Sequence, residues 1–166
     1  RYATQTLNWD GFYAGAMYDL QNIINTNSDP ATAAAAAEFG ANANQIAIAR
    51  ILKAYYFSVL TDAWGDVPYS QALKGNGTIP YDKQETISPA LIAELKAANA
   101  QYTTGAAVQG DIMYAGNTTK WKKFANSLIA TLSLRMSKAN PTLGRAEFAA
   151  AVAGGVIDAN ADNATI

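Results

Sequence analysis

Apolar residues recur at three- and four-residue steps along much of the chain, which is the pattern of helices that bury one face. From Leu7 to about Asn25 they fall at Trp9, Phe12, Tyr13, Ala16, Met17, Leu20, Ile23 and Ile24. Asn25-Thr26-Asn27-Ser28-Asp29-Pro30 should break that helix, because short polar side chains bond their own backbone and proline cannot continue it. The run Ala31 to Ala37 is helix-compatible and leads to Gly40, a point of interruption. A second long helix is predicted over about Ala41–Ala63, with Ile48, Ile51, Leu52, Tyr55, Tyr56, Val59, Leu60 and Ala63 on its stripe and Arg50, Lys53 and Asp62 off it.

Gly65-Asp66-Val67-Pro68 ends that helix, and a loop from about Trp64 to Thr86 follows. So long a connection in a helical chain suggests a binding or wrapping role. Ser88-Pro89 reads as the N-cap and first position of a third helix, faced by Leu91, Ile92, Leu95, Ala98 and Tyr102 and closing near Gly105. A fourth helix starts from a cap at Asn117 or Thr118. It carries Trp121, Phe124, Ala125, Leu128, Leu132 and Met136 inward and is stopped by Pro141. A short fifth helix over about Gly144–Ala153 ends at Gly154-Gly155, and the polar tail from Val156 should run extended over the surface. No segment alternates as a strand would. The expectation is one all-α domain over residues 1–166, in which any helical repeat is degenerate.

Composition supports the helices and narrows the chemistry. Alanine, the best helix former, is roughly a fifth of the chain. With no cysteine and no histidine, a Cys/His zinc site, a Ser-His-Asp triad and a Cys-His nucleophile are excluded within these residues. A net charge of −1 provides no field for gathering nucleic acid. No apolar run is long enough to span a membrane. Nothing calls for a cofactor. The chain opens on Arg1 rather than Met and stops in a polar run, so it is expected to be a fragment.

Asp62 and Asp66 could form an acid/base pair of the glycosidase kind, but carboxylates at a helix end and turn more often satisfy free backbone N–H groups. Asp158, Asn160 and Asp162 have the oxygen ligands of the first half of a calcium loop. That loop lacks its sixth-position glycine, so a polar turn is the default and calcium the alternative. Lys120, Lys122 and Lys123 read as a solvated face. Gly75-Asn76-Gly77 and Gly110-Asp111 lack the context of a phosphate loop. Aromatic residues offer flat apolar platforms with a polar handle, as sugar-binding proteins need. Those on helical stripes, such as Trp9, Phe12, Tyr55 and Trp121, read as core. The contact candidates are therefore Trp64, Tyr69, Asn76 and Tyr81, in or beside the long loop.

Several segments together resemble one family. Ile51-Leu52-Lys53-Ala54-Tyr55-Tyr56-Phe57 leads into Thr61-Asp62-Ala63-Trp64-Gly65-Asp66-Val67-Pro68-Tyr69-Ser70-Gln71-Ala72-Leu73, similar to the helix and W-G-D-V-P-Y turn of the SusD/RagB proteins of Bacteroidetes. Tyr81-Asp82-Lys83-Gln84-Glu85-Thr86-Ile87 resembles that family's entry to its next helix. Gly110-Asp111-Ile112-Met113-Tyr114-Ala115-Gly116, with Lys120-Trp121-Lys122-Lys123-Phe124-Ala125-Asn126-Ser127-Leu128 and Leu134-Arg135-Met136, is similar to a later stretch; Asn160-Ala161-Asp162-Asn163-Ala164 fits the same order. The resemblance implies degenerate tetratricopeptide-like helix pairs with long irregular loops. It implies a lipid-anchored cell-surface subunit of the outer membrane, without catalysis, that binds a nutrient, typically an oligosaccharide. Its partner would be a SusC-like TonB-dependent transporter, to which it passes the ligand. The lipidated cysteine would lie upstream of these residues, and no binding residue of the family maps onto them. The remaining readings are a helical-repeat module that binds protein without glycan, and a glycoside hydrolase using Asp62 and Asp66.

Overall fold

A computed structural model describes residues 9–75 and 77–164. The first helical stretch is broken where a continuous helix was expected. Asp10–Phe12 (α1) passes through a π-helical turn, Tyr13–Met17, before Tyr18–Ser28 (α2). Gly15 sits inside that turn at φ −107° and ψ −113°, a conformation its missing Cβ allows. The turn rotates Trp9, Phe12 and Tyr13 away from the row that buries Met17 and Leu20, and it leaves Ile23 exposed. Leu7, the proposed start, lies outside the described residues.

A short helix, Ala33–Ala36 (α3), and a 3-10 turn, Ala37–Phe39, end at Gly40, whose φ is +126°. A Cβ there would lie 2.7 Å from the Ala107 carbonyl oxygen, so the close approach of two loops requires glycine. The long helix Asn42–Trp64 (α4) is the predicted one, shifted by a single residue. α2 and α5 both pack against it, so it is buried well beyond one stripe. Ala47, Ala49, Ala54, Phe57, Ser58 and Thr61 are buried beside the expected Ile48, Ile51 and Leu60, whereas Tyr55 is exposed. The alanines matter because small side chains let neighbouring helices approach on two sides.

Helix α5, Gln84–Ala100, starts before the predicted Ser88-Pro89 cap. The start is supplied from a distance: the Asp66 carboxylate accepts from Gln84 N–H at 2.9 Å, and Gln84 Nε2 donates to the Thr61 carbonyl at 2.6 Å. Pro89 then falls within the helix, where its missing N–H removes one intrahelical bond. Leu91, Ile92, Leu95 and Ala98 are buried as the spacing predicts. The helix stops at Ala100 rather than near Gly105, and the buried amide of Asn44 pins the chain beyond it, accepting from Thr103 N–H at 2.8 Å.

Thr118–Arg135 (α6) starts at the predicted Asn117, whose side chain accepts from Lys120 N–H at 3.1 Å. Pro141, expected to stop α6, lies beyond its end at Arg135. It is the first residue of Pro141–Ala153 (α7), capped by Asn140, so that helix begins earlier than the predicted Gly144. α7 packs on α6, α6 on α5, and α5 on α4. This is the all-α architecture of degenerate tetratricopeptide-like pairs, and the described residues add only one isolated backbone bridge, Val67 with Asp82.

The loop before α6 is organised by one carboxylate. Asp111 accepts from the N–H groups of Met113, Tyr114 and Gly116 at 3.0, 3.2 and 2.8 Å and from the indole of buried Trp121 at 2.7 Å. Tyr114 stands edge-on to that indole at 5.2 Å. Asp111→Ala should therefore cost about 1–3 kcal/mol in chemical denaturation, because a buried indole N–H would lose its partner. Leu128→Ala should cost about 2–5 kcal/mol by the same measurement. Leu134→Ala, at an exposed position, should stay within about 0.5 kcal/mol.

Candidate functional site

The connection between α4 and α5 has no ladder of its own, so its backbone must be satisfied by other means. Val67 and Asp82 exchange two backbone bonds, at 3.2 and 2.9 Å, and close the loop at its base. The Asp82 carboxylate then accepts from Tyr69 N–H at 3.0 Å, Ser70 N–H at 2.7 Å and the Ser70 hydroxyl at 2.8 Å. Desolvation opposes its ionisation, but the bonds from Ser70 and Tyr69 outweigh it and hold the carboxyl below its ordinary range. From the other side the Tyr13 hydroxyl donates to the Pro68 carbonyl at 2.7 Å. Leu73, at φ +63°, carries the chain round in a left-handed conformation that a leucine adopts only at a cost.

Thus fixed, the loop separates two clefts, and Leu73 lines both. One is polar, with a volume of about 510 Å³, between the loop and helices α2, α4 and α5. Its floor is Phe57 and Leu91, and the Tyr69 ring stands edge-on to Phe57 at 4.9 Å. Burial, with Glu94 and Asp82 nearby, pushes the Tyr69 hydroxyl up to about 12, so it remains a donor throughout the neutral range. Glu94 is clamped by Arg50 through bonds of 2.7 and 2.8 Å, and that clamp holds its carboxyl low. Lys53 stands on the same wall and donates to Gln21 Oε1 at 2.7 Å.

The second cleft, of about 420 Å³, is aromatic and apolar, formed by Trp9, Tyr13 and Tyr18 against Pro68, Leu73 and Ile79. Tyr81 leans on the Trp9 ring at 5.7 Å, and Tyr18 and Tyr81 are more than half exposed. The arrangement provides ring faces at the mouth of a concave surface beside a cleft lined with hydrogen-bonding groups. It can hold a ligand that has both apolar faces and hydroxyls.

The sequence candidates separate. Tyr69 lines the polar cleft and Tyr81 flanks the aromatic one. Trp64 faces neither: it is half-buried against Phe12 at 6.3 Å and anchors the end of α4. Asn76 lies outside the described residues. Trp9, expected in the core, packs against its edge and also lines the aromatic cleft. Gln21, Lys53 and Glu94 had no signal beyond lying off the apolar stripes. Asp62 is paired with Arg135 and Asp66 caps α5, so the two carboxylates serve the scaffold.

Asp158 and Asp162 do converge, but on the ammonium of Lys123, at 2.8 and 2.7 Å. Those bonds push the ammonium up to about 12, and a lysine thus takes the place a cation would have in the calcium reading. Asn160 opens a 3-10 turn, Asn160–Asp162, within the tail. The lysines of α6 are accordingly no simple solvated face. Lys123 and Lys120 hold the tail against α6, with the Tyr114 hydroxyl donating to the Asp162 carbonyl at 2.9 Å, and Lys122 lies over the Tyr102 ring at 5.6 Å.

The family model for SusD-like proteins, described as starch-binding and associating with the outer membrane, matches residues 1–166. A solved chitin-binding protein is 35% identical, with a TM-score of 0.80, over 94% of this chain and 32% of its own. A Bacteroidetes SusD-like protein is 34% identical, with a TM-score of 0.81, over 95% of this chain and 28% of its own. A SusD homologue from Bacteroides uniformis is 33% identical, with a TM-score of 0.79, over 96% of this chain and 32% of its own. The chain therefore spans about a third of the length of the structures it matches. No curated protein matches it.

The Asp82 clasp makes a pH prediction. Its folded value is depressed, so its contribution is complete above the ordinary value of 3.8 and is lost as pH falls through the lower, folded value. In an acid titration followed by NMR, the Tyr69 and Ser70 amide signals should move together with a midpoint below 3.8. A midpoint at or above that value would mean the carboxylate does not hold the loop.

Proposed function

Because the chain belongs to the SusD-like family, we propose that it captures nutrient oligosaccharides at the cell surface, in the clefts flanking the Gly65–Lys83 loop, for delivery to a SusC-like TonB-dependent transporter. The observation that carries the reading is the pairing of an aromatic shelf with a polar cleft across one loop. Pyranose rings present an apolar face to stack on Tyr81, Tyr18 and Trp9 and hydroxyls to bond with the groups around Tyr69. The family's description as starch-binding and outer-membrane-associated supports it, as does the description of two relatives as chitin-binding. Malto- and chito-oligosaccharides are thus the first ligands to test. No described helix is long and apolar enough to cross a membrane, and the proposal includes attachment through a lipid anchor. The role is binding without catalysis.

A second reading, a helical module that contacts protein without binding glycan, is favoured by exposed apolar residues away from the clefts, among them Leu134 and Val152 on neighbouring helices. Affinity electrophoresis and calorimetry against a glycan panel separate the two readings. Under the first, an oligosaccharide binds and Tyr81→Ala weakens it by about 0.5–1.5 kcal/mol, the worth of one ring contact. The melting temperature should be unchanged, since that ring is exposed. Glycan silence together with capture of a β-barrel transporter would favour the second.

A further inference from the structure

The polar cleft holds more hydrogen-bond donors than its own acceptors consume. Lys53 projects from the middle of α4, and among the described residues its ammonium donates to Gln21 Oε1 and to no other group. Gln21 is locked in that orientation because its Nε2 donates to Asn25 Oδ1 at 2.8 Å. The carboxylate beside it is committed elsewhere: both Glu94 oxygens accept from Arg50, whose remaining terminal nitrogen donates to Gln101 Oε1 at 2.7 Å. A lysine ammonium has three N–H donors, and here a single neutral amide answers them. Burial pushes Lys53 down from its ordinary value, and the nearby charge of Glu94, a carboxylate already bonded to Arg50, offsets that only in part. Tyr69, whose hydroxyl can donate, also lines the cleft, and Lys74 adds a second positive charge to the lining. With Arg50 and Glu94 cancelling, the cleft has an excess of positive charge.

We infer that this cleft binds the carboxylate of an acidic sugar, with Lys53 as its counter-ion and Tyr69 beside it. The inference rests on the glycan-capture reading and specifies the class of sugar. A hydroxyl brings one donor for every acceptor it offers, whereas a carboxylate only accepts and so matches the surplus. An ammonium–carboxylate bond is also about twice as strong as a neutral one. Set back from bulk water, it is screened less by salt than a surface pair.

The test compares trimers of galacturonate, glucuronate and mannuronate with their fully methyl-esterified forms, which keep the rings and lose the charge. Malto- and chitotriose are included as neutral sugars, and all are titrated by calorimetry. At least one acid trimer should bind about tenfold or more tighter than its ester, as one charge-assisted bond warrants. Lys53→Met should erase that difference. Gln21→Glu serves as a second variant, because it leaves Lys53 in place but supplies an internal carboxylate that competes with the ligand; it should erase the difference too. Binding of neutral trimers or esters with no preference for the acid overturns the inference and leaves glycan capture standing. A preference that survives both substitutions also overturns it. Silence towards every sugar, acid and neutral, overturns glycan capture and the inference together.

Discussion

The carboxylate of Asp82 is the interaction that shapes the loop between the two candidate clefts. A loop of this length, without strand or helix, must satisfy its buried backbone groups or lose its shape. Asp82 does so for the stretch that matters, accepting three hydrogen bonds from Tyr69 and Ser70 while its own backbone pairs with Val67. It fixes the backbone that sets Tyr69 against Phe57, while the Tyr13 bond to Pro68 and the burial of Val67 and Ala72 hold the loop at other points. Asp66 and Asp111 solve the same problem at the start of α5 and before α6. Uncharged in most of its composition, the protein places its acids where loops need acceptors.

Helix packing supplies the other half of the surface. α4 is covered on two sides because alanines at Ala47, Ala49 and Ala54 let α2 and α5 come close. That leaves Arg50 and Lys53, on the same helix, at the rim between neighbours rather than in solvent. The polar cleft therefore arises where two helix pairs meet a loop, and its charged groups are half-buried as a consequence. The π turn at Gly15 does the corresponding work for the aromatic cleft, by directing Trp9 and Tyr13 to the loop while Met17 enters the core.

Much of the scaffold was legible from spacing alone. α4 is found within a residue of its predicted bounds and α6 starts where predicted, since long amphipathic repeats with clear ends such as Gly65 and Asn117 leave little choice, although α6 ends at Arg135, ahead of the expected stop at Pro141. The start of α5 was misplaced for a tertiary reason. Ser88-Pro89 looks like a helix start, yet the start of α5 is set by Asp66, distant in sequence and close in space. Local capping rules cannot register an acceptor that arrives from another turn. The family resemblance was equally legible, because the W-G-D-V-P-Y turn, the Y-D-K-Q-E entry and the K-W-K-K-F-A helix occur in order.

The site was legible only in part. Aromatic residues in a long polar loop pointed to Tyr69 and Tyr81, but the same reasoning selected Trp64, which packs on Phe12. The tail read as a polar turn with calcium as the alternative, and the fold brings Asp158 and Asp162 to Lys123. The sequence by itself determined the helices, the class of fold, the family and the chemistry that could be excluded for want of cysteine and histidine. These follow from periodicity, composition and motif order, which are local or additive properties. Which rings face outward, which acid caps which helix, and that Lys53 shares a cleft with Tyr69 were decided by tertiary structure. Such pairings join residues far apart in the chain, and their strength comes from burial, which exists only once the helices have packed.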